Sequence, residues 1–167
     1  MKLGIIGGGA WGTALAQVAS ASSQDALLWA IEPEVVTAIN ERQENTVFLP
    51  GIPLNESVRA TGDIAELLHC DAWLAVTPAQ HLRSVLECAP QCDKPLILCS
   101  KGIEERSGQL LHKVAKQVCP RAPIAVLSGP TFAHEVAKGL PTAVTLAAED
   151  LALAERLRER IAVPAFR

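Results

Sequence analysis

The chain has 167 residues, of which 49% are hydrophobic and 20% are charged, and its formal net charge is −3. This length suits one well-buried domain, and the composition excludes a largely disordered segment. The small negative charge argues against an extensive nucleic-acid or membrane-surface interface, and no apolar run is long enough to span a membrane. We therefore expect a protein that acts on small molecules, with no nucleic-acid partner.

Short apolar runs alternate with amphipathic stretches of helical length along the whole chain, which is typical of repeated βα units. Three of the central runs are almost continuously apolar, as expected of strands covered by helices on both faces. The predicted fold is an α/β domain over residues 1–167, with a doubly wound, mainly parallel sheet of the Rossmann type. The predicted strands are residues 3–6, 26–30, 58–61, 72–76, 96–99, 124–127 and 143–146, and the predicted helices are residues 10–20, 33–42, 80–88, 108–118 and 148–160, with another helix starting after Asp63.

A glycine-rich sequence directly follows the first predicted strand and opens the first predicted helix. Residues 7–12, GGGAWG, match the GxGxxG pattern of dinucleotide-binding folds. In that pattern Gly7 makes the tight turn, Gly9 lets the backbone approach the pyrophosphate, and Gly12 lets helix and strand pack closely. The helix N-terminus adds unpaired N–H groups and a positive dipole end for the phosphates.

Trp11 is a large aromatic side chain within this glycine turn, and either a cofactor or a neighbouring loop is expected to cover it.

Lys2 and the apolar run to Val18 also resemble a short secretory signal. The dinucleotide-binding pattern explains the interrupting glycines better, so we expect a cytoplasmic protein.

Glu32 follows the second predicted strand, about 20 residues beyond the glycines, which is the usual distance to the acid that binds the adenosine ribose. The alternative is an acid that only begins the helix at Pro33. A carboxylate repels a 2′-phosphate, and neither neighbour of Glu32 is basic. Glu32 therefore favours NAD over NADP, with NADP as the second possibility.

Two later segments also follow predicted strands, at the sheet edge where open parallel sheets bind ligands. Lys101 is either a solvated loop charge or a point charge for a phosphate group. In residues 128–135, SGPTFAHE, Gly129 and Pro130 set a turn. Thr131 either caps the following helix or faces an anion.

The cysteines and histidines show none of the spacing that metal sites require. Cys70, Cys88, Cys92, Cys99 and Cys119 are expected to be buried thiols in a reducing compartment. We predict no bound metal.

Five ordered motifs together resemble the bacterial-type NAD(P)-dependent glycerol-3-phosphate dehydrogenases. They are GGGAWGTAL at residues 7–15, NTVFLPG at 45–51, VTPAQ at 76–80, SKGIE at 100–104 and SGPTFA at 128–133. The resemblance implies an oxidoreductase that reduces dihydroxyacetone phosphate to sn-glycerol 3-phosphate with NADH or NADPH, in phospholipid synthesis. It assigns cofactor contacts to Ala10, Trp11, Lys101 and Ala133, and contacts with the phosphate substrate to Lys101, Gly129 and Thr131.

Two departures from the family pattern shape the remaining expectations. Many members carry an arginine or histidine at the position of Ile31, so its absence supports the preference for NAD. Members also have an all-helical C-terminal domain that supplies the proton-transferring lysine, and nothing here corresponds to it. We therefore expect a truncated cofactor domain without a catalytic residue of its own, which binds cofactor without turnover and forms a homodimer only at full length. A non-catalytic nucleotide-binding protein and the cofactor domain of another Rossmann reductase are the alternatives.

Overall fold

The computed structural model describes residues 1–22, 24–91 and 93–167. The sheet strands are β1 (Lys2–Ile6), β2 (Asp25–Trp29), β3 (Val58–Thr61), β4 (Ala72–Ala75), β5 (Leu96–Leu98), β8 (Ile124–Ser128) and β9 (Thr145–Ala148), and a separate hairpin contains β6 (Ile103–Glu104) and β7 (Gln109–Leu110). The α-helices are α1 (Ala10–Ala21), α2 (Pro33–Arg42), α3 (Leu82–Cys88), α4 (Leu111–Val118), α5 (Ala133–Ala137) and α6 (Leu151–Ile161), and two 3₁₀ helices cover Ile64–His69 and Ala79–His81.

The main sheet has the strand order β3-β2-β1-β4-β5-β8-β9. Every pair from β3 to β8 is parallel, and β9 pairs antiparallel with β8 at the edge. This confirms the predicted doubly wound, mainly parallel sheet. The strand order reverses between β1 and β4, and a reversal of this kind opens a crevice at the carboxyl ends of the strands.

Both faces of the sheet are covered, as the apolar central strands predict. Leu3 and Ile5 of β1 belong to one hydrophobic cluster and Ile6 belongs to a second, because successive side chains of a strand point to opposite faces. Helices α1 and α6 contribute to the first cluster, and α3 and α4 contribute to the second. Within the described residues, no helix combines the length and the apolar character that crossing a membrane requires.

Three predicted elements after residue 107 are wrong in their bounds. The helix predicted over residues 108–118 begins only at Leu111, because Gly108 adopts a φ of +66° and the next two residues form β7. The helix predicted from residue 148 begins at Leu151, after the Asp150 side chain accepts a hydrogen bond from Ala152 N at 2.9 Å. The strand predicted over residues 143–146 lies two residues later, as β9.

Candidate cofactor site

An open cleft of about 990 Å³ lies at the carboxyl edge of the sheet. Each of its main segments directly follows a strand: the glycine turn follows β1, Glu32 follows β2, Thr77 follows β4, Lys101 follows β5 and Thr131 follows β8. The cleft therefore occupies the crevice that the reversal of strand order creates, the usual ligand position in this type of sheet.

The glycine turn has the geometry that its motif predicts. Gly7 has a φ of +124°, a conformation that side chains disfavour, and its N–H donates to Trp29 O at 3.0 Å. A Cβ at Gly12 would lie 2.0 Å from Gly7 O, so any larger residue would push α1 away from the turn. Both glycines shape the site, while their contact with a cofactor stays a prediction.

Gly9 differs from these two glycines, because a Cβ there would meet nothing within 4 Å. It is the N-cap of α1, and neither a side-chain cap nor an acidic residue occupies the first turn of that helix. The N–H groups of Ala10, Trp11 and Gly12 have no acceptor one turn earlier in the helix, since the first residues of any α-helix lack one. The cleft thus has an open, electropositive helix terminus in its wall.

Asn45 joins the long connection after α2 to the glycine turn. Its buried side chain donates to Gly8 O at 2.8 Å and to Thr13 Oγ1 at 2.7 Å, and its Oδ1 accepts from Phe48 N at 3.0 Å. The last bond places Phe48, which is 41% exposed, at the cleft. This role of Asn45 was not predicted, although the residue opens the NTVFLPG motif.

Glu32 lies beside the glycine turn and lines the cleft together with Trp29 and Ile31. It is the N-cap of α2, yet its side chain makes no capping hydrogen bond to that helix. The carboxylate is therefore not used in a capping hydrogen bond, and its contact with a ribose stays a prediction. Ile31 is 75% exposed, so the residue beside Glu32 offers this part of the cleft no positive charge.

On the other side of the glycine turn, Lys101 lines the cleft and its Nζ donates to Gly129 O at 2.8 Å. Thr131 also lines the cleft, and the alternative that it caps α5 is wrong, because Phe132 is the N-cap residue. Gly129 lies behind this wall, where a Cβ would approach Ala143 O to 2.9 Å. Of the predicted substrate-binding residues, Lys101 and Gly129 thus contact each other, and Thr131 lines the same cleft as Lys101.

Three predicted contact residues, Gly12, Gly129 and Ala133, are not among the residues that line the cleft. Gly12 is buried beneath the turn, and Ala133 begins α5 and packs against the core. A contact between Ala133 and a cofactor stays a prediction. One further wall of the cleft was not predicted, although the VTPAQ motif lies at its start. β4 and the elements after it form this wall, which contains Thr77, Pro78, His81, Ser84, Val85 and Cys88.

The cysteines of the described chain are only partly as expected. Cys70, Cys99 and Cys119 are buried, whereas Cys88 is exposed, because it ends α3 on the side that faces the cleft. The fifth, Cys92, lies outside the described residues. Burial raises the pKa of the Cys99 thiol to about 12, so this cleft residue is protonated at neutral pH.

Among the described side chains, no group of three or more metal-ligating residues could hold a metal ion.

A family model described as the N-terminus of NAD-dependent glycerol-3-phosphate dehydrogenase matches residues 2–154. The chain belongs to this family. Proteins named glycerol-3-phosphate dehydrogenase, with NAD(P)+ as the named cofactor, are 56% identical to it in Caulobacter vibrioides and 52% identical in Erythrobacter litoralis. Each of these matches covers 99% of the chain but only 51% and 50% of the respective relative.

Solved structures agree with this assignment. Glycerol-3-phosphate dehydrogenase from Coxiella burnetii superposes with a TM-score of 0.91 at 34% identity, over 99% of this chain and 52% of that one. The enzyme from Plasmodium falciparum superposes with a TM-score of 0.90 at 25% identity, over 100% and 51%. The predicted family is confirmed, and the chain spans about half the length of the relatives it matches.

Proposed function

We propose that the chain binds NAD in this cleft and provides the cofactor-binding half of a glycerol-3-phosphate dehydrogenase. One observation carries the proposal: an open helix N-terminus after the glycine turn lies next to a carboxylate that makes no bond to its own helix. The first group suits a pyrophosphate and the second suits a ribose, so together they match the two central parts of a dinucleotide.

The strand order supports one orientation for the proposed dinucleotide. Glu32 follows β2, the glycine turn follows β1, and Lys101 follows β5, beyond β4. Adjacent strands lie about 4.8 Å apart, so β2 and β5 are separated by roughly 14 Å across the cleft. With the adenosine ribose at Glu32 and the pyrophosphate at Gly9, the nicotinamide half extends over β4 towards Lys101 and Thr131.

When bound, a reduced nicotinamide would supply the hydride for the reduction of dihydroxyacetone phosphate to sn-glycerol 3-phosphate, a precursor for phospholipid synthesis, and a positioned acid would supply the proton. Lys101 places a positive charge next to Gly129, in the cleft that Thr131 also lines and where the phosphate-bearing substrate is proposed to bind. A lysine ammonium acts there as a point charge for a phosphate or for negative charge developing on an oxygen. Among the described residues that line the cleft, Lys101 is the one ammonium group.

Titration calorimetry with NAD and NADP tests the proposal. The wild-type chain is expected to bind NAD more tightly, because Glu32 bonds to the ribose and repels a 2′-phosphate. Glu32→Ala is expected to weaken NAD binding about tenfold and to narrow its advantage over NADP. Glu34→Ala is the matched control, since Glu34 is an exposed acid in the first turn of α2 but does not line the cleft. A wild-type preference for NADP would contradict the role given to Glu32, and failure to bind either nucleotide would refute the proposed function.

A further inference from the structure

The hairpin that follows Lys101 is attached to the rest of the protein mainly through polar side chains. The chain turns at Gly102, which has a φ of +125°, and β6 then pairs with β7. Ile103 and Leu110 face each other across the hairpin, yet they are 52% and 49% exposed. An isolated two-stranded hairpin is only marginally stable in water, so contacts other than apolar burial must hold this one in place.

Glu104 makes the strongest of these contacts. Its carboxylate is only 7% exposed and accepts two hydrogen bonds from Arg83, Nε to Oε1 at 2.8 Å and Nη2 to Oε2 at 2.9 Å. Ser107 Oγ also donates to Oε2. Such a paired arrangement is both stronger and more directional than a single bond. It fixes one strand of the hairpin against α3.

Two glutamines extend this attachment along the hairpin. Gln80 Nε2 donates to Ile103 O at 2.9 Å, and its Oε1 accepts from Glu105 N at 2.9 Å. Gln117 of α4 accepts from Arg83 Nη2 at 2.9 Å and donates to Gln109 Oε1 at 2.9 Å. Both strands of the hairpin are therefore fixed, one through α3 and its preceding turn and the other through α4.

Lys101 lies between this fixed hairpin and the loop after β8. Its ammonium group donates to Gly129 O, while its backbone is only three residues from Glu104. A lysine has a long, flexible stem, so the place its ammonium reaches depends on where the backbone is held. We propose that Arg83 and Glu104 are positioning residues that hold the Lys101 ammonium in the cleft, an inference that rests on the proposed binding of a phosphate-bearing dinucleotide there.

A double-mutant cycle on NADH affinity tests this coupling, because residues that act through each other give non-additive effects. The four proteins are the wild type, Lys101→Ala, Glu104→Gln and the double variant. Glu104→Gln is expected to weaken NADH binding about three- to tenfold in the wild-type background. In the Lys101→Ala background the same change is expected to alter the affinity less than twofold, since the group it positions is gone.

The control is Glu149→Gln, which removes the exposed ion pair of Glu149 with Lys116, 3.9 Å long, and is expected to leave NADH affinity unchanged. If Glu104→Gln does not fold, Arg83→Lys replaces it in the cycle, because it keeps the charge and loses the paired geometry. If Glu104→Gln weakens NADH binding equally in both backgrounds, or if the wild type and Lys101→Ala bind NADH equally well, the positioning role is refuted while the proposed function still stands. A wild-type chain that does not bind NADH would instead refute the proposed function.

Discussion

Replacing Gly9 with valine separates cofactor binding from folding, because this glycine serves no packing purpose of its own. Its φ of −70° and ψ of 179° are open to any residue, and a Cβ would meet nothing within 4 Å. Valine is a poorer N-cap than glycine, which costs about 1 kcal/mol. A folded domain of this size has roughly 5–15 kcal/mol of stability. The melting temperature is therefore expected to fall by only about 2–4 °C.

The effect of Gly9→Val on binding should be much larger. Its side chain would project into the space beside the α1 N-terminus, where the pyrophosphate is proposed to approach. Loss of one hydrogen bond to a charged group costs about 1.5–3 kcal/mol, which corresponds to roughly 10- to 100-fold weaker binding. Fluorescence titration with NADH measures this change, and circular dichroism with thermal melting measures the fold.

Gly62→Val is the matched control for this experiment. Gly62 is exposed, a Cβ there would also meet nothing within 4 Å, and the residue does not line the cleft. We expect Gly62→Val to keep wild-type NADH affinity. Wild-type affinity in Gly9→Val would refute the placement of the pyrophosphate at this turn, and so would an equal loss in both variants.

Three further predictions follow from the site and the hairpin. The Arg83 and Ser107 hydrogen bonds lower the pKa of Glu104 from 4.5 to about 2, so its contribution to stability is complete above pH 4.5 and is lost as the pH falls towards 2. The melting-temperature difference between the wild type and Glu104→Gln should therefore shrink from pH 6 to pH 3, and a constant difference would contradict this reasoning. Saturating NADH should slow iodoacetamide alkylation of the exposed Cys88 thiol at least several-fold in a Cys92→Ser background; an unchanged rate would place the cofactor away from α3. Finally, the chain alone should bind NADH without oxidising it in the presence of dihydroxyacetone phosphate, because the resemblance assigns the proton donor to the family's helical domain; NADH consumption that Lys101→Ala abolishes would show otherwise.

The sheet and the glycine turn could be predicted from the sequence because their signals are local. Apolar runs gave the strands to within a few residues, and the positive φ of Gly7 and the close packing at Gly12 follow from the spacing of the glycines. The hairpin of β6 and β7 could not be predicted in the same way. Strands of two residues are too short to show a periodic pattern. The apolar pattern of residues 108–118 predicts a helix, and only the structure shows that Gly108 turns the chain and that the next two residues form β7.

The polar contacts that support the site were also beyond prediction, for a different reason. Asn45 bonds to Gly8 across 37 residues of sequence, and Arg83 bonds to Glu104 across 21. Each of these residues looks like an ordinary surface residue in the sequence, because nothing local indicates that its side chain is buried. Only the packing of loops from different βα units brings the partners together.

These long-range bonds link the loops at the sheet edge into one structure. Asn45 ties the long loop to the turn after β1, Ser100 Oγ donates to Thr77 O and so joins the loops after β5 and β4, and Lys101 joins the loop after β5 to Gly129 after β8. Neighbouring loops bonded in this way hold one another in position, so the shape of the cleft depends on residues that never line it. Glu104 is such a residue, and it lies outside the cleft lining. Replacing it can change NADH affinity through Lys101, through the part of α3 that holds Arg83 and lines the cleft, or through a general loss of stability. The double-mutant cycle, unlike the single variant, separates the route through Lys101 from the other two.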